Sequence, residues 1–107
     1  MKSKSEKRWL SDVASLGCVA CRNSGYGETL AEVHHVRAGV GKGQRAADTD
    51  TIPLCPPHHR GTLHPMVPSI HLDKRRFERE FGTELELLAQ TIRDVNAFRS
   101  TIVGSDL

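Results

Sequence analysis

The pattern that most constrains this chain is a pair of short spacings, Cys18-x₂-Cys21 in "CVACRNSG" and Cys55-x₂-His58 in "LCPPHHRG". A tight turn of this length aims two side chains at one point, often with backbone N–H groups directed at sulfur. Two such turns close a tetrahedral, thiolate-rich shell of the kind that suits structural Zn²⁺. This use accounts for all three cysteines, an odd number that excludes a fully paired disulfide framework. The plainer alternative is three buried thiols and an exposed histidine. His59 offers a second choice of fourth ligand; if it took that place, the two neighbouring histidines would exchange roles. Spacing favours His58.

A staple of this sort is physically useful here. The chain has 107 residues, 37% of them hydrophobic, 26% charged and 5% aromatic. These values describe one small domain with a modest core. No apolar run approaches the ~20 residues needed to span a bilayer. The N-terminal stretch "MKSKSEKRWLSDVASLG" is basic but has no continuous apolar segment, so it does not read as a signal peptide, and a cytoplasmic protein is expected. The net charge of +2 is too mild to diagnose a nucleic-acid partner. Acidic residues gather in "FEREFGTELELL", which a solvated helix face explains equally well.

The expected fold is α+β, a single domain over 1–107. An N-terminal arm and helix (1–17) precede a zinc-stapled ββα core (18–72), and C-terminal helices (73–107) follow. Trp9, Leu10, Val13 and Leu16 fall at helical spacing, with Ser5 as N-cap and Gly17 as stop. "LAEVHHVRAG" and "TIPLC" read as short strands, the second away from a central position because of Pro53. A helix is expected from Asp73 to about Phe81, ending at Gly82. The last helix starts at a Thr83/Glu86 capping box and carries Leu85, Leu88, Ile92 and Val95 as its core stripe. The tail "STIVGSDL" is expected to fray.

His34, His35 and His59 then remain without a structural role. Adjacent residues on a strand point to opposite sides, so the doublet can supply one metal ligand and one differently directed group. A hairpin and helix clamped by zinc would bring His59 back against it. One or two imidazole ligands for a divalent ion, plus a free imidazole able to activate water, meet the needs of phosphodiester hydrolysis. The ion withdraws charge from the phosphate, and a neutral histidine with an ordinary pKa near ~6.5 takes the water's proton.

The residues "AEVHHVRAG…DTIPLCPPHH" resemble an HNH endonuclease bracketed by paired zinc ligands. That resemblance implies metal contact by His34, general-base catalysis by His35 and catalytic-metal ligation by His59. Asp50 stands where the pattern usually has Asn, and would either ligate metal or hold the loop. More specifically, "HHVRAGVGKGQRAADTDTIPLCPPHHRG" with "SIHLDKRRFEREFGTELELLAQ" is similar to the phage recombination-enhancement nucleases, the Ref-type RecA-dependent family. The similarity covers most of the chain after Cys18. It implies an HNH-like core that nicks or cleaves DNA bound by RecA filaments, with zinc for structure and Mg²⁺ or Mn²⁺ for chemistry. It also matches His71 to a family histidine preceding the penultimate helix, a candidate for a second metal cluster or the active site. His64 is read as facing solvent.

The Gly-rich stretch "GVGKGQRAADTD" lacks the P-loop pattern. Arg37, Lys42, Gln44 and Arg45 are candidates to line DNA phosphates there, against a merely solvated loop. Trp9 is read as a core anchor in preference to a base-stacking residue. Two other functions compete with the nuclease. A non-catalytic zinc-knuckle module binding DNA or a recombination protein has no use for His34, His35 and His59 together, and a thiol redox protein lacks its thioredoxin-like context.

Overall fold

The computed structural model describes residues 2–38, 47–61 and 66–105, with side chains through residue 101. The elements in order are α1 (Lys4–Ser15), α2 (Val19–Asn23), β1 (Glu32–His35), β2 (Thr51–Leu54), α3 (Pro56–Arg60), α4 (Lys74–Phe81) and α5 (Glu84–Ser105). It is a small α+β fold whose two strands form one antiparallel pair, with Glu32 opposite Leu54, Val33 opposite Pro53, His34 opposite Ile52 and His35 opposite Thr51.

The hairpin tolerates Pro53 for a geometric reason. The Val36 N–H donates to the Asp50 carbonyl at 2.9 Å, which makes residues 36 and 50 a hydrogen-bonded pair. Alternation then puts Val33 and Pro53 at a non-hydrogen-bonded pair, where the missing N–H interrupts no rung. All four β2 residues are buried, because the strand is covered on both faces. Ile52 and Leu54 join Val36, Val19, Phe77, Ile70 and Leu87 in the main core cluster, together with the three cysteines.

Helix ends follow local chemistry. The α1 N-cap is Ser3, not the expected Ser5, because Ser3 has Glu6 three residues on and the two make a reciprocal capping box. Asp73 caps α4, whose C-cap is Gly82. The Thr83/Glu86 box opens α5, with Thr83 N–H to Glu86 Oε1 at 3.0 Å and Glu86 N–H to Thr83 Oγ1 at 3.2 Å. The helix backbone runs on through Ser105, into the tail expected to fray.

Half of the expected α5 stripe faces inward, since Val95 is buried and Leu88 packs against the core, and half does not. Leu85 is 57% exposed and Ile92 37% exposed, whereas Glu84, Leu87, Thr91 and Val95 are buried. Two inward positions are polar. Thr91 hides its hydroxyl by donating to the Leu87 carbonyl at 2.8 Å, and Glu84 is drawn inward by His34. On α1, Val13 is fully buried, while Trp9, Leu10 and Leu16 are half-buried. The Trp9 ring carries the Arg99 guanidinium at 5.2 Å, joining α1 to α5.

Candidate metal centre and active site

Two elements built for different purposes meet across the hairpin. Cys18 caps α2, and its Sγ accepts the Cys21 N–H at 3.4 Å. Cys55 caps α3, a helix that can begin at Pro56 because a first-turn proline forfeits no intrahelical bond. Together they place Cys18, Cys21, Cys55 and His58 in one buried group. His58 Nδ1 lies 3.6, 3.5 and 3.2 Å from the sulfurs of Cys18, Cys21 and Cys55, and the Cys21 and Cys55 sulfurs are 3.7 Å apart.

These separations fit one ion. Tetrahedral Zn–S bonds of about 2.3 Å and a Zn–N bond of about 2.0 Å imply S···S edges of about 3.8 Å and S···N edges of about 3.5 Å. Burial pushes the Cys18 thiol up and the Cys55 thiol up to about 12, so their ionisation requires a positive partner such as a divalent ion. Burial also holds the His58 pKa down, keeping the imidazole neutral as a ligand must be. The cluster can therefore hold a metal ion such as Zn²⁺. Of the two neighbouring histidines, the geometry puts His58 here.

His59 follows on the helix and points elsewhere. Its ring stands 5.1 Å from that of His34 and 4.7 Å from that of His71, and His34 is 5.2 Å from His71. Ligating atoms of the three lie within 4.8 Å of one another. Backbone pairing with α3 fixes His71: Ile70 N–H donates to the His58 carbonyl at 2.9 Å, and His71 N–H to the His59 carbonyl at 3.3 Å.

Each of the two inner histidines is backed by a carboxylate. His34 Nε2–H donates to Glu84 Oε2 at 2.7 Å, with side chains 5% and 3% exposed. His59 Nδ1–H donates to Glu32 Oε1 at 2.8 Å, and Arg60 holds the same carboxylate at 2.7 and 3.0 Å. Although burial raises the pKa of Glu84, hydrogen bonds from His34, the Arg37 N–H and Lys74 bring it below its ordinary value. Burial likewise raises Glu32, and hydrogen bonds from His59 and Arg60 bring it below its ordinary value. Burial lowers both His34 and His59. An ionised carboxylate only accepts, so each ring is protonated on the nitrogen facing its carboxylate and bare on the other. That is the state in which imidazole binds a metal, held by the same kind of carboxylate backing found behind metal-ligating histidines.

His35 leaves the strand on the opposite side from His34. Its Nε2 lies 2.8 Å from Asp48 Oδ1, its side chain is 39% exposed, and Asp48 Oδ2 takes Lys2 Nζ at 2.6 Å. Asp50 contributes its backbone to the hairpin, while Asp48, two residues earlier, reaches the doublet. Arg37 is exposed and gives its N–H to Glu84 at 3.2 Å. Lys42, Gln44, Arg45 and His64 lie outside the described residues.

Sequence reasoning does not single out Glu84, Glu32 or Asp48. For Glu32 a signal exists, since period two puts it on the same strand face as His34. Glu84 looks like any acid in a capped first turn, and nothing local marks Asp48.

A small α+β fold with one Cys₃His cluster that could hold a metal ion and one carboxylate-backed histidine cluster is what this geometry defines. A family model described as "recombination enhancement, RecA-dependent nuclease" matches residues 3–96. The chain belongs to that nuclease family. No curated protein matches it. Among the described residues, no helix is long and apolar enough to cross a membrane.

Proposed function

We propose that this chain is a metal-dependent DNA endonuclease of the HNH type, with a ββα-metal core, acting on DNA bound by RecA filaments. The observation that carries this reading is the histidine cluster. His34, His59 and His71 converge on one point, while His35, next along the strand and on its opposite side, has a side chain 39% exposed. A non-catalytic zinc knuckle needs Cys18, Cys21, Cys55 and His58 but not this second set. Membership of a nuclease family supports the same reading.

His34, His59 and His71 would hold the catalytic ion. Three imidazoles are a softer donor set than Mg²⁺ ordinarily takes, so of Mg²⁺ and Mn²⁺ the second fits better. When bound, the ion supplies charge withdrawal from the scissile phosphate and stabilisation of the leaving oxygen. Glu84 and Glu32 fix the two inner rings. His35 takes a proton from water as the water oxygen attacks phosphorus, and the leaving oxygen departs and takes a proton from solvent. Asp50 serves the site through its backbone, at the head of β2. Arg37 with Lys42, Gln44 and Arg45 would meet the DNA phosphates, contacts that position the duplex without reading its sequence. A protein that works on RecA-bound DNA would act in the cytoplasm.

The test is plasmid nicking by the zinc-loaded protein in Mg²⁺ or Mn²⁺, with and without a RecA filament paired to the plasmid, for wild type and His35→Ala. Circular dichroism and bound zinc establish that both are folded. Cleavage by wild type with the filament, and none by the variant, is the expected result. Cleavage without the filament removes the RecA dependence and keeps the chemistry. If neither protein cuts in any condition, the binding-module function replaces the enzyme.

A further inference from the structure

The chain Lys2–Asp48–His35 has a purpose that the metal centres do not explain. Asp48 is a carboxylate with only 7% of its surface exposed, yet it belongs to neither metal cluster. One oxygen meets His35 Nε2 at 2.8 Å and the other meets Lys2 Nζ at 2.6 Å. We propose that Asp48 is the positioning residue for His35, fixing its tautomer with the proton on Nε2 and its bare Nδ1 toward substrate, with Lys2 locking the carboxylate in place. This rests on the nuclease reading above, in which His35 is the base.

Donor and acceptor chemistry fixes the tautomer. An ionised carboxylate can only accept, so the ring nitrogen facing it must carry hydrogen, and the other nitrogen is left with its lone pair free. The Lys2 and His35 hydrogen bonds outweigh burial and hold the Asp48 carboxyl down to about 2, so it stays ionised at any pH where a nuclease works. A neutral imidazole free in solution divides its proton between two tautomers and rotates about its side-chain bonds. Here one nitrogen is anchored to a buried group on the segment leading into β2, and the His35 side chain as a whole is 39% exposed.

In the step this arrangement serves, Nδ1 takes one proton from a water molecule as the water oxygen forms a bond to phosphorus. The bond from phosphorus to the leaving oxygen breaks, and that oxygen takes a proton from solvent. His35, now protonated on both nitrogens, is held by the Asp48 carboxylate until it returns its proton to solvent. Asp48 touches neither substrate nor the reacting atoms.

The experiment uses the full, zinc-loaded chain and filament-paired plasmid in Mn²⁺. The near-isosteric Asp48→Asn should lower kcat by about a hundredfold or more, the order seen when a base is released from its orienting carboxylate. KM should stay within about twofold. Long-range ¹⁵N NMR of the His35 ring should show protonated Nε2 in wild type and loss of that preference in the variant. A variant that cuts at close to the wild-type rate overturns the proposal and leaves the nuclease reading standing. A slow variant with an unchanged His35 tautomer also overturns it, because Asp48 would then act only on folding or packing. Wild type that never cuts overturns both. Should Asp48→Asn fail to fold, the wild-type ring decides alone: protonated Nε2 upholds the proposal and protonated Nδ1 overturns it.

Discussion

Replacing Glu84 with alanine tests the histidine cluster through stability as well as metal binding. The carboxylate is buried and accepts from His34 Nε2 at 2.7 Å, from the Arg37 N–H at 3.2 Å and from Lys74 at 3.1 Å. Deleting it strands the His34 N–H, on a side chain only 5% exposed, at a cost of about 1–3 kcal/mol. Lys74 is exposed and the Arg37 N–H bond is only part-buried, so water replaces much of what they lose, adding no more than about 1 kcal/mol. The expected loss is therefore about 1–4 kcal/mol, a Tm drop of roughly 4–30 °C for a domain of this size. Glu84→Gln keeps an acceptor for His34 and should lose about half as much. Thermal and urea unfolding at fixed excess Zn²⁺ measure the stability. Mn²⁺ titration should show the second centre weakened by about 10–100-fold in Glu84→Ala. A loss below about 1 kcal/mol, or equal losses for alanine and glutamine, would mean that His34 does not depend on this carboxylate.

Removing the thiolate-bound metal with a chelator should unfold the chain, since a structural zinc contributes about 10–16 kcal/mol, as much as a small domain's whole stability; circular dichroism reads this, and the thiols should resist alkylation until chelator is added. Burial lowers His34, His58 and His59 from the ordinary 6.5. Their contribution to stability is then complete above that pH and lost as pH falls below it. Asp48 behaves the same way at lower pH, contributing fully above 3.8 and losing its share as pH falls toward about 2. The urea midpoint measured against pH should decline in both windows, the lower decline becoming shallower in Asp48→Asn. Gly61→Ala should cost about 1–3 kcal/mol, because φ is +76° and the new Cβ would meet Leu72 Cδ1 at 2.5 Å and Ser69 Oγ at 3.0 Å; chemical denaturation checks it.

What could be read from the sequence was what chemistry makes local. The Cys18/Cys21 and Cys55/His58 turns announce themselves by spacing, and Asp73, Gly82 and the Thr83/Glu86 box mark their helix ends because capping is settled within four residues. The same rule misplaces the first N-cap at Ser5, where the better partner for Glu6 is Ser3. The buried face of α5 is only half legible, for a different reason. Hydrophobicity assigns Leu85 and Ile92 inward, but the helix turns to carry Glu84 to His34, and a polar contact across the fold leaves no trace in a helix's own periodicity. Asp48 and Glu32 escape likewise, since the partners that define them sit on other elements.

Although they are neighbours, His58 and His59 fall in two separate clusters, and under the proposed function the first serves folding and the second chemistry. This division is probed by comparing His58→Ala with His59→Ala, each measured for circular dichroism and for cleavage of filament-paired plasmid in Mn²⁺. His58→Ala should lose its fold, while His59→Ala should keep its fold and zinc yet no longer cut. If the two variants behave alike, or if folded His59→Ala cuts as wild type does, the division between the two histidines is wrong.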